Sequence, residues 1–213
     1  YQRTAVPLYS IVPAGITGHS TSFFNTYGDR PKPDKAKDAL RSAGYNGKVP
    51  LTLWATPGRY GPGTVPAFEE IAQQLNASGL FNAKVRTLPT KEYEQGMADG
   101  KFGVYVKGWV PDYPDPDNFT APFFGKDSVV ANHYSSPSIT GRLLPKTADQ
   151  PNRGATKSEF RELQDIVAQD VPMIPLWQGK QYAVAREGVS GLQWTLDPST
   201  VFRFWEIAKP TEA

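Results

Sequence analysis

The sequence predicts an α/β fold, and three observations carry that prediction. Alternating apolar runs and helical apolar stripes follow one another as strand, helix, strand, helix, strand between residues 49 and 109. Two loops rich in glycine, proline and aromatic residues leave the carboxyl ends of two of those predicted strands. The C-terminal stretch then offers strand candidates with no helix between them, so they are read as part of a different sheet.

The elements are justified in order. Residues 1–27 show little periodicity: LYSIVPAG is one strand-like run, and Phe23 and Phe24 are expected to be buried. PDKAKDALRSAGY has Pro33 in a first helical turn, repeats Ala36, Leu40 and Ala43 at helical spacing, and meets a stop at Gly44. After the Asn46-Gly47 turn, VPLTLWA alternates Val49, Leu51 and Leu53 as a strand does. The loop TPGRYGPGT leads into a helix over residues 65–78, with Thr64 as expected cap and Phe68, Ile71, Ala72 and Leu75 on one face. FNAKVRTL reads as a second strand, TKEYEQGMADG as a short helix, and KFGVYVKGW as a third strand with Phe102, Val104 and Val106 in alternation. Such βαβ units give parallel strands, whose carboxyl-end loops share one edge where ligands bind. TPGRYGPGT and GWVPDYPDPDNF are therefore expected to face one cleft.

Beyond that point TAPFFGKDSVVANHYSSPSITG is turn-rich, and LLPKTADQPNRGA reads as a surface loop. A helix is predicted from Thr156, where Thr156 and Glu159 have capping-box spacing and Phe160, Leu163, Ile166 and Val167 form the apolar face. VPMIPLW reads as a buried strand interrupted by prolines, and QYAVA and VFRFWEIA as the strands of the other sheet.

Composition narrows the chemistry. The 213 residues, 39% hydrophobic, suffice for a globular core, and no apolar run approaches the roughly 18 to 20 residues a membrane helix needs. A net charge of +2 with scattered Lys and Arg offers no nucleic-acid surface. The absence of cysteine excludes disulfides, thiolate nucleophiles and Cys-ligated zinc, and the only histidines, His19 and His133, stand far apart in sequence. No cofactor or metal site is expected, and no G-x-S-x-G, H-E-x-x-H or S-x-x-K motif supplies an enzyme's nucleophile or metal. Two acidic residues at the right separation would suffice for a glycosidase, but nothing selects a pair.

Asp112, Asp115 and Asp117 are the densest candidate cluster. Three readings compete: solvated turn carboxylates, a calcium loop, or a cleft carboxylate that holds a cationic ligand group. The calcium reading lacks the glycine and the bidentate Glu of an EF-hand loop. Trp109 and Tyr113 flank Asp112, and a carboxylate between aromatic walls makes a strong contact with an amine. Arg59, in the neighbouring loop, has the planar fork that matches a carboxylate, although exposed arginines without ligands are common. Asp112 and Arg59 together would suit a zwitterion such as a peptide or amino acid. The glycines Gly58, Gly61 and Gly63 match neither a dinucleotide fingerprint nor a P-loop.

GWVPDYPDPDNF resembles the G-W-x-x-D-Y-x-D-P-x-N-F segment of the family 5 extracellular solute-binding proteins of ABC transporters. PDKAKDALRSAGY, FEEIAQQLNASGLFNAKV and FRELQDIVAQDVPMIPLW resemble, in order, three further segments of that family, so the likeness runs from about Pro31 to the end. The resemblance implies the C-terminal lobe of a two-lobed, type II periplasmic-binding-protein-like fold that closes on its ligand by hinge motion, with an N-terminal lobe and a secretory or lipoprotein signal upstream. Residues 1–30 would be an irregular opening segment on the hinge side, 31–180 the ligand-binding lobe, and 181–213 strands returning toward the other lobe. Exposed apolar surface is expected where that lobe would cover it.

For function, the resemblance implies the solute-binding component of an importer, which binds dipeptides or oligopeptides and delivers them to an ABC permease of the cytoplasmic membrane. The location would be periplasmic or cell-surface, with a lipid anchor, and the chain would be no enzyme. Asp112 matches the family position that holds a peptide's α-amino group, and Arg59 lies where an arginine can hold its carboxylate. Trp109 and Tyr113 match aromatics near the ligand, and Asn132 and Tyr134 lie in the region of the family's N-x-x-Y segment. The family's following Asp is absent, since this chain reads SSPSITG. A carbohydrate or other non-peptide binder on the same scaffold, a metal-chelate binder, and a hydrolase using cleft carboxylates are the alternatives.

Overall fold

A computed structural model describes residues 4–130, 133–195 and 202–209. The chain divides into two compact units: residues 29–108 with 130–133, and residues 1–28, 109–129 and 134–213.

The first of these holds the predicted α/β core. Helix α2 (Pro33–Ser42) is followed by strand β2 (Val49–Ala55), helix α3 (Thr64–Ala77), strand β3 (Phe81–Thr87), helix α4 (Thr90–Ala98) and the two-residue strand β4 (Val104–Tyr105). The sheet is parallel with order β3-β2-β4; Val49 to Ala55 pair in register with Phe81 to Thr87, and Leu53 and Trp54 pair with Val104 and Tyr105. The connection through α4 thus carries the chain from one edge of β2 to the other.

Several local expectations hold for physical reasons. Gly44 takes a left-handed φ of 86°, and the Tyr45 N–H reaches back to the Leu40 carbonyl, which closes the end of α2 as a glycine cap does. Thr64 is not the cap of α3: Gly63 precedes the helix, and the Thr64 hydroxyl donates to the Tyr60 carbonyl at 2.9 Å. The third strand is shorter than its alternation predicts, and Val104 is exposed while Phe102 and Val106 are buried. Backbone pairing continues one rung further, where the Val106 N–H donates to the Trp54 carbonyl at 3.2 Å, and a side chain reinforces it: Tyr93 of α4 donates its hydroxyl to the carbonyls of Trp54 and Val106, at 3.2 and 2.7 Å, and accepts from the Val106 N–H at 3.0 Å. Phe102 stacks on Trp54 and Tyr93 with ring centroids 4.6 and 5.4 Å apart. On the opposite edge, the Asn76 amide exchanges two hydrogen bonds with the Ala83 backbone, which occupies one position of edge strand β3.

The second unit is organised around helix α7 (Lys157–Asp170), whose residues Phe160, Leu163, Gln164, Val167 and Ala168 are buried on one face. Ile166 is only half-buried. Strand β1 (Ala5–Pro7) pairs antiparallel with β5 (Trp177–Gly179), and helix α1 (Ser22–Tyr27) packs on α7. Polar bonds sew the N-terminal segment down: Gln164 Nε2 donates to the Gly18 carbonyl, Ser22 Oγ to Asp165, and Tyr27 to the Ala168 carbonyl. Phe23 is buried there as expected, but Phe24 is exposed, with its ring against the edge of Tyr9.

Other expectations fail in this unit. LLPKTADQPNRGA is not a surface loop throughout: a wide π-type turn, Ile139–Leu143, runs into helix α6 (Leu144–Ala148), and Ile139, Leu143 and Thr147 are buried at a spacing of four. Pro145 hid this, because it has no N–H for the carbonyl four residues back, and the wide turn before it accommodates the ring. The capping box does not form. Asn152 caps an earlier 3-10 turn, Arg153–Thr156, by accepting from the Gly154 N–H at 3.0 Å, while Glu159 pairs with Lys146. VPMIPLW is not a buried strand, since Ile174 and Leu176 are exposed and only Trp177 joins β5; Pro172 and Pro175 lack the donors a ladder requires. QYAVA forms no strand, and the described part of VFRFWEIA is a 3-10 turn, Phe204–Glu206, with one bridge from Ala208 to Ser190. Runs of this kind become strands only when another strand accepts their hydrogen bonds.

Candidate functional site

The two loops singled out from sequence both leave the carboxyl edge of the parallel sheet, because β2 and β4 are adjacent and parallel. Within the first unit, the β2 loop presents Arg59. Its guanidinium pairs with Glu94 at 3.1 Å and lies over the Tyr60 ring at 5.9 Å, and both members of the ion pair are nearly half exposed. Gly108, at the exit of β4, packs directly beneath Tyr60: a Cβ there would lie 2.6 Å from the ring, so any larger residue would displace Tyr60. Burial and the neighbouring Arg59 push the Lys107 ammonium below its ordinary value.

Trp109 follows Gly108 directly and belongs to the other unit, as do Asp112, Tyr113 and Tyr134. The half-buried Trp109 ring packs edge-on against Phe123 of the one-turn helix α5 (Ala121–Phe124), with centroids 5.2 Å apart, and its indole N–H donates to Asn118 Oδ1 at 3.1 Å. The backbone N–H of Asp112 donates to the same oxygen at 3.2 Å. Asp112 and Tyr113 themselves are exposed, and among the described residues no hydrogen bond or ion pair engages the Asp112 carboxylate.

Asp115 and Asp117 differ from Asp112. Asp115 Oδ1 accepts from the Asp117 N–H at 2.8 Å and so caps the 3-10 turn Pro116–Phe119, while its Oδ2 accepts from Arg153 Nε at 2.7 Å. Arg153 also donates to the Thr147 carbonyl and lies over the Phe160 ring, 5.7 Å from its centroid. Burial pushes the Asp117 carboxyl above its ordinary value. These two aspartates shape the loop and leave Asp112 as the carboxylate presented outward.

Tyr134 donates its hydroxyl to Asp170 at 2.6 Å and meets Phe124 edge-on; burial and then the Asp170 carboxylate push its phenol up to about 12. Asn132 lies outside the described residues. The sequence reading overlooked Asn118 and Arg153, which hold the loop. The available signal for Asn118 was its place as the Asn of the G-W-x-x-D-Y-x-D-P-x-N-F likeness, whereas Arg153 is 38 positions from its partner Asp115 and left none. Among the described residues no group of three His, Asp or Glu is placed to hold a metal ion, and no helix is long and apolar enough to cross a membrane.

Residues 1–130 match the family model of bacterial extracellular solute-binding proteins, family 5 middle. Di/tripeptide-binding protein 1 of Pseudomonas aeruginosa is 27% identical over 91% of this chain and 36% of its own length. The dipeptide-binding protein of Escherichia coli is 31% identical over 98% of this chain and 39% of its own length. The crystal structure of a dipeptide-binding protein from Pseudoalteromonas, in complex with Met-Leu, superimposes with a TM-score of 0.79 at 22% identity, covering 99% of this chain and 41% of that one. The chain therefore shares its fold and spans about two fifths of the length of these relatives.

Proposed function

The chain belongs to the family 5 bacterial extracellular solute-binding proteins, and from that premise we propose that it is part of the solute-binding component of an ABC importer for dipeptides or oligopeptides. The observation that carries the reading is Asp112: an exposed carboxylate, without a partner among the described residues, on a loop whose backbone is fixed on either side. A carboxylate so held and not neutralised is suited to a ligand's α-amino group, and the relatives named as dipeptide-binding support that choice of ligand. Trp109 and Tyr113 supply the apolar walls, with Asn132 and Tyr134 as further contacts. Arg59 takes the ligand's carboxylate end or assists closure; its exposed pair with Glu94 contributes little, so exchanging partners costs little.

In this reading the chain carries out no chemistry. Residues 31–180 supply the ligand-binding lobe and 181–213 return toward a second lobe. The protein works outside the cytoplasmic membrane, held by a lipid anchor, and hands its solute to the permease. The test is calorimetric titration of the full-length protein with peptides and their N-acetyl derivatives. Acetylation, or Asp112→Ala, is expected to weaken binding by about 10- to 100-fold, the worth of a charge-assisted hydrogen bond. Equal affinity for free and acetylated peptides, with a silent Asp112→Ala, would remove the amine anchor.

A further inference from the structure

We propose that Asn118 is the positioning residue of this site: it fixes the apolar wall Trp109 and the amine anchor Asp112 through a single oxygen. The inference rests on the peptide-binding reading above and adds to it the group that sets the geometry. Asn118 is 4% exposed. Its Oδ1 accepts from the indole N–H of Trp109, nine residues upstream, and from the backbone N–H of Asp112, six upstream. Both partners can only donate, so the amide orientation is set by chemistry: the oxygen must face them, and both its lone pairs are used.

That double acceptance closes a small ring of chain. Trp109 and Asp112 are the ends of the run WVPD, and tying both ends to one atom fixes the backbone between them. Pro111 and Pro114 restrict φ on either side of the Asp112-Tyr113 pair. The base of the ring is rigid in turn. Asn118 belongs to the 3-10 turn capped by Asp115, and Asp115 is tied to Arg153, which is fixed by the Thr147 carbonyl and the Phe160 ring. The Asp112 carboxylate therefore departs from a backbone already in place, and less ordering is left for the ligand to impose.

The experiment uses the full-length protein and a panel of dipeptides that includes Met-Leu, each with its N-acetyl derivative. The readout is amine preference, the ratio of the two dissociation constants. A purely structural lesion weakens both ligands alike and leaves the ratio unchanged. Asp112→Ala is expected to bring the ratio to about one. Asn118→Ala is expected to lower it by about tenfold, as expected from loss of one anchored hydrogen bond. Asn118→Asp, which keeps an acceptor oxygen at the same reach, is expected to retain it. Asn118→Ser falls short of both donors and gives the same readout if the alanine variant does not fold. A folded Asn118→Ala or Asn118→Ser variant with the wild-type ratio overturns the positioning role while the peptide reading stands. A wild-type ratio of one, or no binding across the panel, overturns the peptide reading itself and the inference with it.

Discussion

At the scale of single residues, polar side chains bind backbone groups at the edges and ends of the sheet. Tyr93 is the strongest case. Its side chain is fully buried, burial pushes its phenol well above the ordinary range, and its hydroxyl serves three backbone groups at the end of the sheet. Tyr93→Phe keeps the ring and the stack on Phe102, and the Val106 N–H keeps its bond to the Trp54 carbonyl, but the buried Val106 carbonyl loses the hydroxyl. Urea unfolding is expected to show a loss of about 1–3 kcal/mol, the cost of unsatisfied buried polar groups; a midpoint equal to wild type would show that water or backbone movement replaces the hydroxyl. Nothing in the sequence marked Tyr93 for this role, since a tyrosine on an amphipathic helix reads as core. Asp112 was legible because aromatics and prolines surround it in sequence, and Asn118 only as a letter of the family likeness, because its partners are chosen by how the loop folds back.

At the scale of elements, helices α6 and α7 are joined by one ion pair as well as by apolar packing. Lys146 of α6 reaches Glu159 of α7 at 2.5 Å, and Ser158 donates to the other carboxylate oxygen at 2.9 Å. The Lys146 bond foremost, with the helix backbone and Ser158, holds the Glu159 carboxyl down at about 2, against an ordinary value of 4.5. The folded-state value is depressed, so the contribution is present above pH 4.5 and is lost as pH falls toward 2. Thermal melts of wild type and Glu159→Gln should therefore differ above pH 4.5 and converge near pH 2. A constant difference across that range would exclude the pairing as its cause. The same residue shows why the capping box failed: Thr156 and Glu159 have the spacing, but α6 brings a lysine to the glutamate and Asn152 caps the turn upstream. Local patterns state what is possible, and a neighbour distant in sequence decides which possibility is realised.

At the scale of the whole molecule, the family match begins at residue 1, so it includes the opening segment that lay outside the likeness read from Pro31 onward. That segment supplies β1, antiparallel to β5, and the backbone and side-chain partners of α7. Among the described residues the C-terminal stretch carries the most exposed large apolar side chains: Val184 is 94% exposed, Trp205 74% and Phe204 70%, with Phe202 stacked on Phe204. Surface of this kind binds hydrophobic dyes and drives self-association unless covered. The isolated 213-residue chain is expected to sediment as more than a monomer at micromolar concentration, and Phe204→Ser with Trp205→Ser to shift it toward monomer. Wild-type sedimentation as a monomer without dye binding would show that the tail folds over its own apolar groups.

The sequence by itself determined the parallel α/β core, the order of its elements, the loop that carries Asp112 and the family. Hydrophobic periodicity, glycine and proline punctuation and a dense local motif are properties of short windows, and 49–109 consists of little else. Tertiary structure alone decided that Asp115 serves Arg153, that Asn118 holds Trp109 and Asp112, that Tyr93 reinforces the sheet, and that Ile139, Leu143 and Thr147 form a buried face. It also decided that QYAVA is not a strand. In each case the partner lies elsewhere in the fold, and a hydrogen bond or a buried face exists only when that partner arrives.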